Sequence, residues 1–327
     1  MFKLIASDIF SFTSGVRTYI LDIGPPNIQS PCSCFVTISY PQSLGSDTYR
    51  PNSLPLIHDI IRRIRKNTDI PIPESTLDTS CELVPFHCLL SPASPIASSS
   101  IVPLSTARKS GMLTEQDVML VDFQLGKFLG QMHSGVQNDW FGSFEVEEPK
   151  EPSYSWQETF TSLLETLMCE HEAAGTSLPY EDIRRYLSRA IGFFLFDDAE
   201  TPSLIWLTGS EDDIFLVLSP TATKARGVVV ILPSLGHALW GDPLLETFFK
   251  PPAPSAAFLE GYTASGGGQL TLFPRQKTKR TWYTLFLGLL VLKERSEKLG
   301  GNDNIGADWA RNMILECVEA LKTAPCY

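Results

Sequence analysis

At 327 residues, with 43% hydrophobic and 19% charged residues, the chain is long enough to bury a large core and has the make-up of an ordinary globular protein. A net charge of −11 argues against a nucleic-acid partner, because phosphate backbones call for clustered Lys and Arg. Seven cysteines, with no CxxC pair and no metal-ligand spacing, point to free thiols in a reducing compartment, hence to a cytoplasmic location and no metal centre.

The N-terminus, MFKLIASDIFSF, lacks the long apolar stretch and small-residue cleavage site of a secretory signal. Arg17–Ile23 and Cys34–Tyr40 are rich in β-branched and aromatic residues and are separated by Gly24, Pro25 and Pro26, a strand–turn–strand pattern. Ile57, Ile60, Ile61 and Ile64 recur at helical spacing, and Arg62, Arg63, Arg65 and Lys66 mark the solvated face of that helix. TDIPIPE ends it, since its prolines favour extended chain. Glu82–Leu90 is a further strand, at an edge or bulge because of Pro85.

Ser91–Pro103 is rich in Ser, Ala and Pro and reads as a linker. Helices follow it. Thr114 is a candidate N-cap with Asp117 three residues on, and Val118, Val121, Leu125, Phe128, Leu129 and Met132 trace one apolar face. Ser155 and Glu158 have capping-box spacing ahead of Phe160, Leu163, Leu164, Leu167 and Met168. Pro179–Ala190, Thr281–Lys293 and a stripe from Trp309 to Leu321 give further helices. The apolar run Leu285–Leu292 falls well short of the ~20 residues that cross a bilayer, so no membrane partner is expected. Loops are marked at Gly266–Gly268 and Gly300–Gly301. The expected fold is α+β and bilobal. Residues 1–90 form a strand-rich lobe, 91–103 a hinge, and 104–327 a larger helical lobe with a strand pair in 204–243.

Four phrases occur in order along this chain: NTDIPIPE (67–74), LGKFLGQMHSGVQNDWFGSF (125–144), HALWGDPLLE (237–246) and FLEGY (258–262). Together they resemble the aminoglycoside phosphotransferase and choline kinase family, which has the protein kinase fold; the FLEGY phrase is similar to members from fungal genomes. The resemblance implies phosphoryl transfer from ATP with Mg²⁺. A cation then steadies the phosphates, one carboxylate orients the acceptor, and a carboxylate and an amide hold the metal.

Placed on this chain, the family's H-x-D pair falls on Trp206 and Thr208, its metal-binding Asn on Asp213, and its later metal-binding Asp on Ser234, eight residues before Asp242. The phosphate-binding Lys or Arg falls in Phe35–Tyr40, best on Thr37, and the glycine-rich loop is reduced to Gly15. The resemblance therefore implies a member with degenerate catalytic motifs. Its vacated cleft would be lined by Thr37, Trp206, Thr208 and Ser234, and made more apolar by Trp206.

The remaining acid–base candidates are His237, Asp213 and Asp242, each with a structural alternative: a packed histidine, a loop carboxylate, and the holder of the GDP turn. His133, the pair Asp197 and Asp198, and the acidic loop Glu211–Asp213 carry the same double reading. Three functions stand open. The first is a catalytically degenerate protein that binds an apolar small molecule and performs a cyclisation or isomerisation in a natural-product pathway, with no cofactor. The second is a pseudokinase scaffold for a protein partner. The third is an ATP- and Mg²⁺-dependent phosphotransferase with displaced catalytic groups.

Overall fold

The computed structural model describes residues 2–4, 15–23, 32–40, 48–82, 84–92, 101–144, 149, 151–217, 227–250, 254–268, 274–296 and 304–326. The smaller lobe is an antiparallel sheet in the order β1-β2-β3-β5-β4. Its strands are β1 (Phe2–Leu4), β2 (Val16–Ile23), β3 (Cys32–Ser39), β4 (Thr76–Asp78) and β5 (His87–Pro92). β2 and β3 pair from Val16 opposite Ser39 to Ile23 opposite Cys32. Directly opposed residues share a face, so the pairs Ile20–Phe35 and Thr18–Thr37 lie on the same side of the sheet.

Helix α1 (Leu54–Asn67) carries Pro55 in its first turn, buries Leu54, Ile57, Ile60, Ile61 and Ile64, and exposes its Arg and Lys face, as its spacing requires. After Thr68 the chain turns at Pro71, where the Ile72 amide donates to Ile70 O at 2.7 Å; Ile70 and Ile72 are both buried, and the Ile231 amide donates to Pro71 O at 3.0 Å. The strand expected over Glu82–Leu90 starts later, at His87, because Pro85 sits in a run of bends; β4 carries no alternating pattern and was not expected.

The ends of the expected hinge are strands: Ser91 and Pro92 close β5, and Ile101–Pro103 is β6. Residues 93–100 lie outside the described residues, as do the turn at 24–26 and Gly300–Gly301. Helices α2 (Leu104–Lys109) and α3 (Glu115–Gly135) follow, and α3 opens on a complete capping box between Thr114 and Asp117. The larger lobe continues with β7 (Gly142–Ser143), α4 (Trp156–Ala173), α5 (Tyr180–Gly192) and β8 (Ser203–Ile205), then β9 (Ile214–Val217), β10 (Val228–Ile231) and β11 (Leu239–Gly241). It closes with α6 (Ala256–Ala264), α7 (Pro274–Ser296) and α8 (Asn304–Thr323). Instead of one strand pair, the 204–243 region forms four short strands in two sheets, ordered β10-β9-β6 and β7-β11-β8. At Ser155 only half of the expected capping box forms, its side chain accepting from Glu158 N. Helix α7 starts before the expected Thr281, its first turns being polar.

Two cores organise the lobes. One packs α4, α5, α7 and α8 around Trp156, Phe160, Phe196, Tyr283 and Phe286. The other joins α1, α3 and α6 to β8–β10. Within it α3 and α6 cross with their backbones touching: a Cβ at Gly126 would lie 1.9 Å from Phe258 O, and one at Gly261 2.1 Å from Phe123 O. Among the described residues no helix is long and apolar enough to cross a membrane.

Candidate functional site

The site is built on the loop from β8 to β9. After Ile205 the Thr208 amide donates to Trp206 O at 2.8 Å, a γ-turn whose central residue, Leu207, has φ +61°. A non-glycine residue there is strained, and the surrounding packing must hold it. The turn sends neighbouring side chains to different places. Trp206 enters the core beneath α1, Leu207 enters the helical core, and Thr208 meets Ser234. Gly209 is needed next, because a Cβ would come within 2.7 Å of both Phe248 and Trp206.

Thr208, Ser234 and Asp213 are brought together. The Thr208 hydroxyl donates to Ser234 O at 3.1 Å. The Ser234 hydroxyl lies 3.3 Å from Thr208 O and 3.1 Å from Asp213 Oδ2, an oxygen that also accepts from Ser210 N at 3.2 Å. The pairing of Ile231 with Ile214 sets this register, and Leu232 N donates to Asp213 O at 2.9 Å. The other acids of the loop are held elsewhere: Glu211 by Arg108 at 2.8 Å, Asp212 by Ser105. Burial pushes the Glu211 carboxyl up, against the pull of Arg108. Among the described residues no group of three His, Cys, Asp or Glu side chains converges on a point that could hold a metal.

Thr37 is not part of that cluster. Its hydroxyl pairs with that of Thr18 at 2.9 Å. On the same sheet face, Ile20 and Phe35 pack directly on Phe215 and Val230 of the β9–β10 hairpin, with the Phe35 and Phe215 rings 5.9 Å apart. An apolar cluster thus joins the sheet to the β9–β10 pair.

His237 and Asp242 are both deeply buried; Asp242 is hydrogen-bonded, whereas His237 sits beside a carboxylate with neither ring nitrogen in a hydrogen bond. His237 Nε2 lies 2.7 Å from Glu294 on α7, with its ring stacked on Tyr49 at 5.8 Å, and Asn52 Nδ2 donates to Leu235 O and Ala238 O on either side, each at 2.9 Å. Asp242 accepts from Leu244 N at 2.9 Å and from Lys279 Nζ and Tyr283 Oη at 2.7 Å each, and Trp156 Nε1 donates to that Tyr283 oxygen at 2.7 Å. Asp198 is bound to the same Lys279, so it belongs to this network rather than to a pair with Asp197.

Several residues the sequence did not single out carry the loop. Glu246, fully buried, accepts from the Trp206 amide at 2.6 Å and lies 3.3 Å from His133 Nε2, while His133 Nδ1 is 2.9 Å from Tyr262 Oη. Thr247 donates to Gly209 O at 2.6 Å. Burial pushes the Tyr262 and Tyr283 hydroxyls up, and pushes the Lys250 ammonium down to about 7. Glu246 and Tyr262 lie inside phrases quoted above, which was the available signal; nothing in the sequence marks Phe35 against Phe215.

Behind the loop is a narrow pocket. It is lined by Ile64 of α1, Ile70 and Ile72, Leu125, Phe128, Leu129 and Met132 of α3, and Trp206, Ile231, Pro233 and Phe248. Every lining residue is apolar, and the free volume of about 20 Å³ admits about one water. Phe128, Pro233 and Phe248 are half-buried and form its rim; Ile64, Leu129 and Met132 are buried.

No protein-family model matches the sequence, and no curated protein matches it. Solved structures do. A putative aminoglycoside phosphotransferase from Ralstonia eutropha JMP134 is similar at TM-score 0.60 and 11% identity, over 99% of this chain and 93% of that one. The fold is protein-kinase-like. A putative fructosamine-3-kinase from Haemophilus somnus 129PT is similar at TM-score 0.52 and 13% identity, over 91% of this chain and 90% of its own. A spectinomycin phosphotransferase solved with ADP and spectinomycin is similar at TM-score 0.50 and 13% identity, over 100% of this chain and 93% of that one. At these identities the kinase-like likeness is one of architecture alone.

Proposed function

We propose that this kinase-fold chain binds a small apolar molecule in the pocket around Trp206 and does not transfer phosphate from ATP. The observation that carries the reading is the pocket itself: an indole stands where the resemblance puts the catalytic histidine, and every wall is apolar. Such enclosures favour hydrophobic ligands. The pocket is narrow as it stands, so a ligand enters by moving the half-buried Phe128 or Phe248 at its rim. A cyclisation or isomerisation would need an acid or base at the ligand, and the lining has none, so the reading is of binding rather than turnover. The natural-product setting comes from the fungal resemblance alone.

Magnesium-ATP does not fit the residues present. Thr208 and Ser234 offer hydroxyls where carboxylates would be needed, Thr37 offers no cation, and Phe35 and Phe215 pack on each other between the lobes. Saturation-transfer NMR with methylenecyclohexane tests the positive half of the proposal. Saturable binding is expected, weakened at least about tenfold in Phe128→Trp, which crowds the rim. Absence of binding up to the solubility limit, or an unchanged affinity in the variant, would refute it.

A second reading, a scaffold for a protein partner, is favoured by the apolar cluster that joins the sheet to the β9–β10 pair. It expects no small-molecule occupant, so the same titration separates the two.

A further inference from the structure

We propose that Cys81 and Cys88 are a redox pair, which a disulfide oxidant of the glutathione type closes into a reversible bridge that fastens the edge strand β4 to β5. Neither residue lines the pocket around Trp206, so the pairing stands whether or not that pocket takes a ligand. Strand β4 is the margin of the five-stranded sheet and is held there by β5 alone. Where that pairing ends, Asp78 stands directly opposite Cys88. Cys81 follows three residues later, and the chain turns on the way: the Ser80 amide donates to Asp78 Oδ1 at 2.9 Å, and the Glu82 amide to Ser80 Oγ at 3.4 Å. Three extended residues reach only ~10 Å, and turns shorten that, so Cys81 stays beside the end of the ladder. The Cys88 thiol leans back over the loop, donating to Phe86 O at 3.8 Å.

Three further observations favour thiol chemistry at this hairpin. Cys81 holds a left-handed backbone, φ +55°, which costs a residue with a Cβ and which glycine would adopt freely. Both thiols are free and half-buried, within reach of a small soluble oxidant. Among the described residues no third ligand joins them in a metal site. Burial pushes the Cys88 thiol up, and the neighbouring Asp78 and Cys81 push it the same way, so Cys88 serves better as the second thiol than the first. The exchange then balances in two steps. The Cys81 thiolate attacks one sulfur of oxidised glutathione, forming a mixed disulfide and releasing one glutathione thiol. The Cys88 thiolate attacks the Cys81 sulfur, forming the bridge and releasing the second. Two cysteines are oxidised, one glutathione disulfide is reduced, and the two protons leave on the released thiols. Cys169, though exposed, has Glu165 and Arg184 beside it, and Cys317 and Cys326 are buried.

Peptide mapping of the full-length chain after incubation with oxidised glutathione tests the pair. A glutamate-specific protease cuts after Glu82, between the two cysteines, so only a bridge keeps their peptides together. The wild type is expected to give the linked peptides, and dithiothreitol to separate them. Cys88→Ser cannot close the bridge, and is expected to hold at least about tenfold more glutathione on Cys81 than the wild type does. Oxidation is expected to raise the melting temperature of the wild type and not that of Cys81→Ser, because the bridge ties the loop in the unfolded chain as well. Glutathione on Cys169 with Cys81 and Cys88 still reduced would overturn the proposal. Glutathione retained on both cysteines of the wild type without linked peptides would overturn it too, since the thiols would then not reach each other. A bridge that leaves the melting temperature unchanged would show that β4 is not fastened by it.

Discussion

Lys250 donates to Tyr283 O at 3.5 Å, and burial of its ammonium brings the pKa from 10.5 down to about 7. An unfolded lysine holds its proton up to about pH 10.4. Between pH 7 and 10.5 the unfolded state therefore binds more protons than the folded state, and stability rises with pH across that window. The cost is fully present below pH 7. Lys250→Met should stabilise the protein by at least about 1 kcal/mol at pH 6, with the advantage shrinking toward pH 10, as read by urea denaturation. An advantage that stays flat with pH would show that the ammonium is not desolvated. At this same scale, Asp242 and His237 illustrate how far single residues can be read. Both were visible as candidates because their types can move protons. Their engagement with Lys279, Tyr283 and Glu294 comes from α7, which no local pattern links to them.

Among the elements, the crossing of α3 and α6 accounts for two of the phrases that made the fold legible. LGKFLGQMH supplies Gly126, Gly130 and His133, and FLEGY supplies Gly261 and Tyr262; the glycines let the backbones touch, and His133 bonds Tyr262. The GDPLLE phrase supplies Asp242 to α7 and Glu246 to the Trp206 amide. These phrases are scaffold, which is why they point to a fold and remain silent on a reaction. Gly261→Ala should destabilise the protein by about 2–3 kcal/mol or more, since its Cβ would meet backbone that cannot move aside. Gly192→Ala, at the exposed end of α5 with open space around it, is the control and should be neutral or mildly stabilising. Equal melting temperatures for the two variants would contradict the close crossing. Elements without a local signal were missed: β4 has three residues and no alternation, and the start of α7 reads PRQKTKR, with no apolar stripe.

Over the whole molecule, the bilobal architecture follows from composition and periodicity, because a strand-rich segment and a run of amphipathic helices must each bury one face. How the lobes meet does not follow. Ile20 and Phe35 pack on Phe215 and Val230 from the other lobe, and contacts so distant in sequence leave no pattern to read. That meeting also bears most on function. It sets an apolar cluster between the lobes, while Thr37 pairs with Thr18, and Thr208 with Ser234, at the positions where the resemblance expects charge. Under the function proposed above, this kinase-like fold does not receive a nucleotide between its lobes. Calorimetric titration of the full-length chain with ATP and Mg²⁺ tests this most directly. The account expects no saturable heat and no rise in melting temperature at millimolar nucleotide; Mg²⁺-dependent binding in the micromolar range would contradict it.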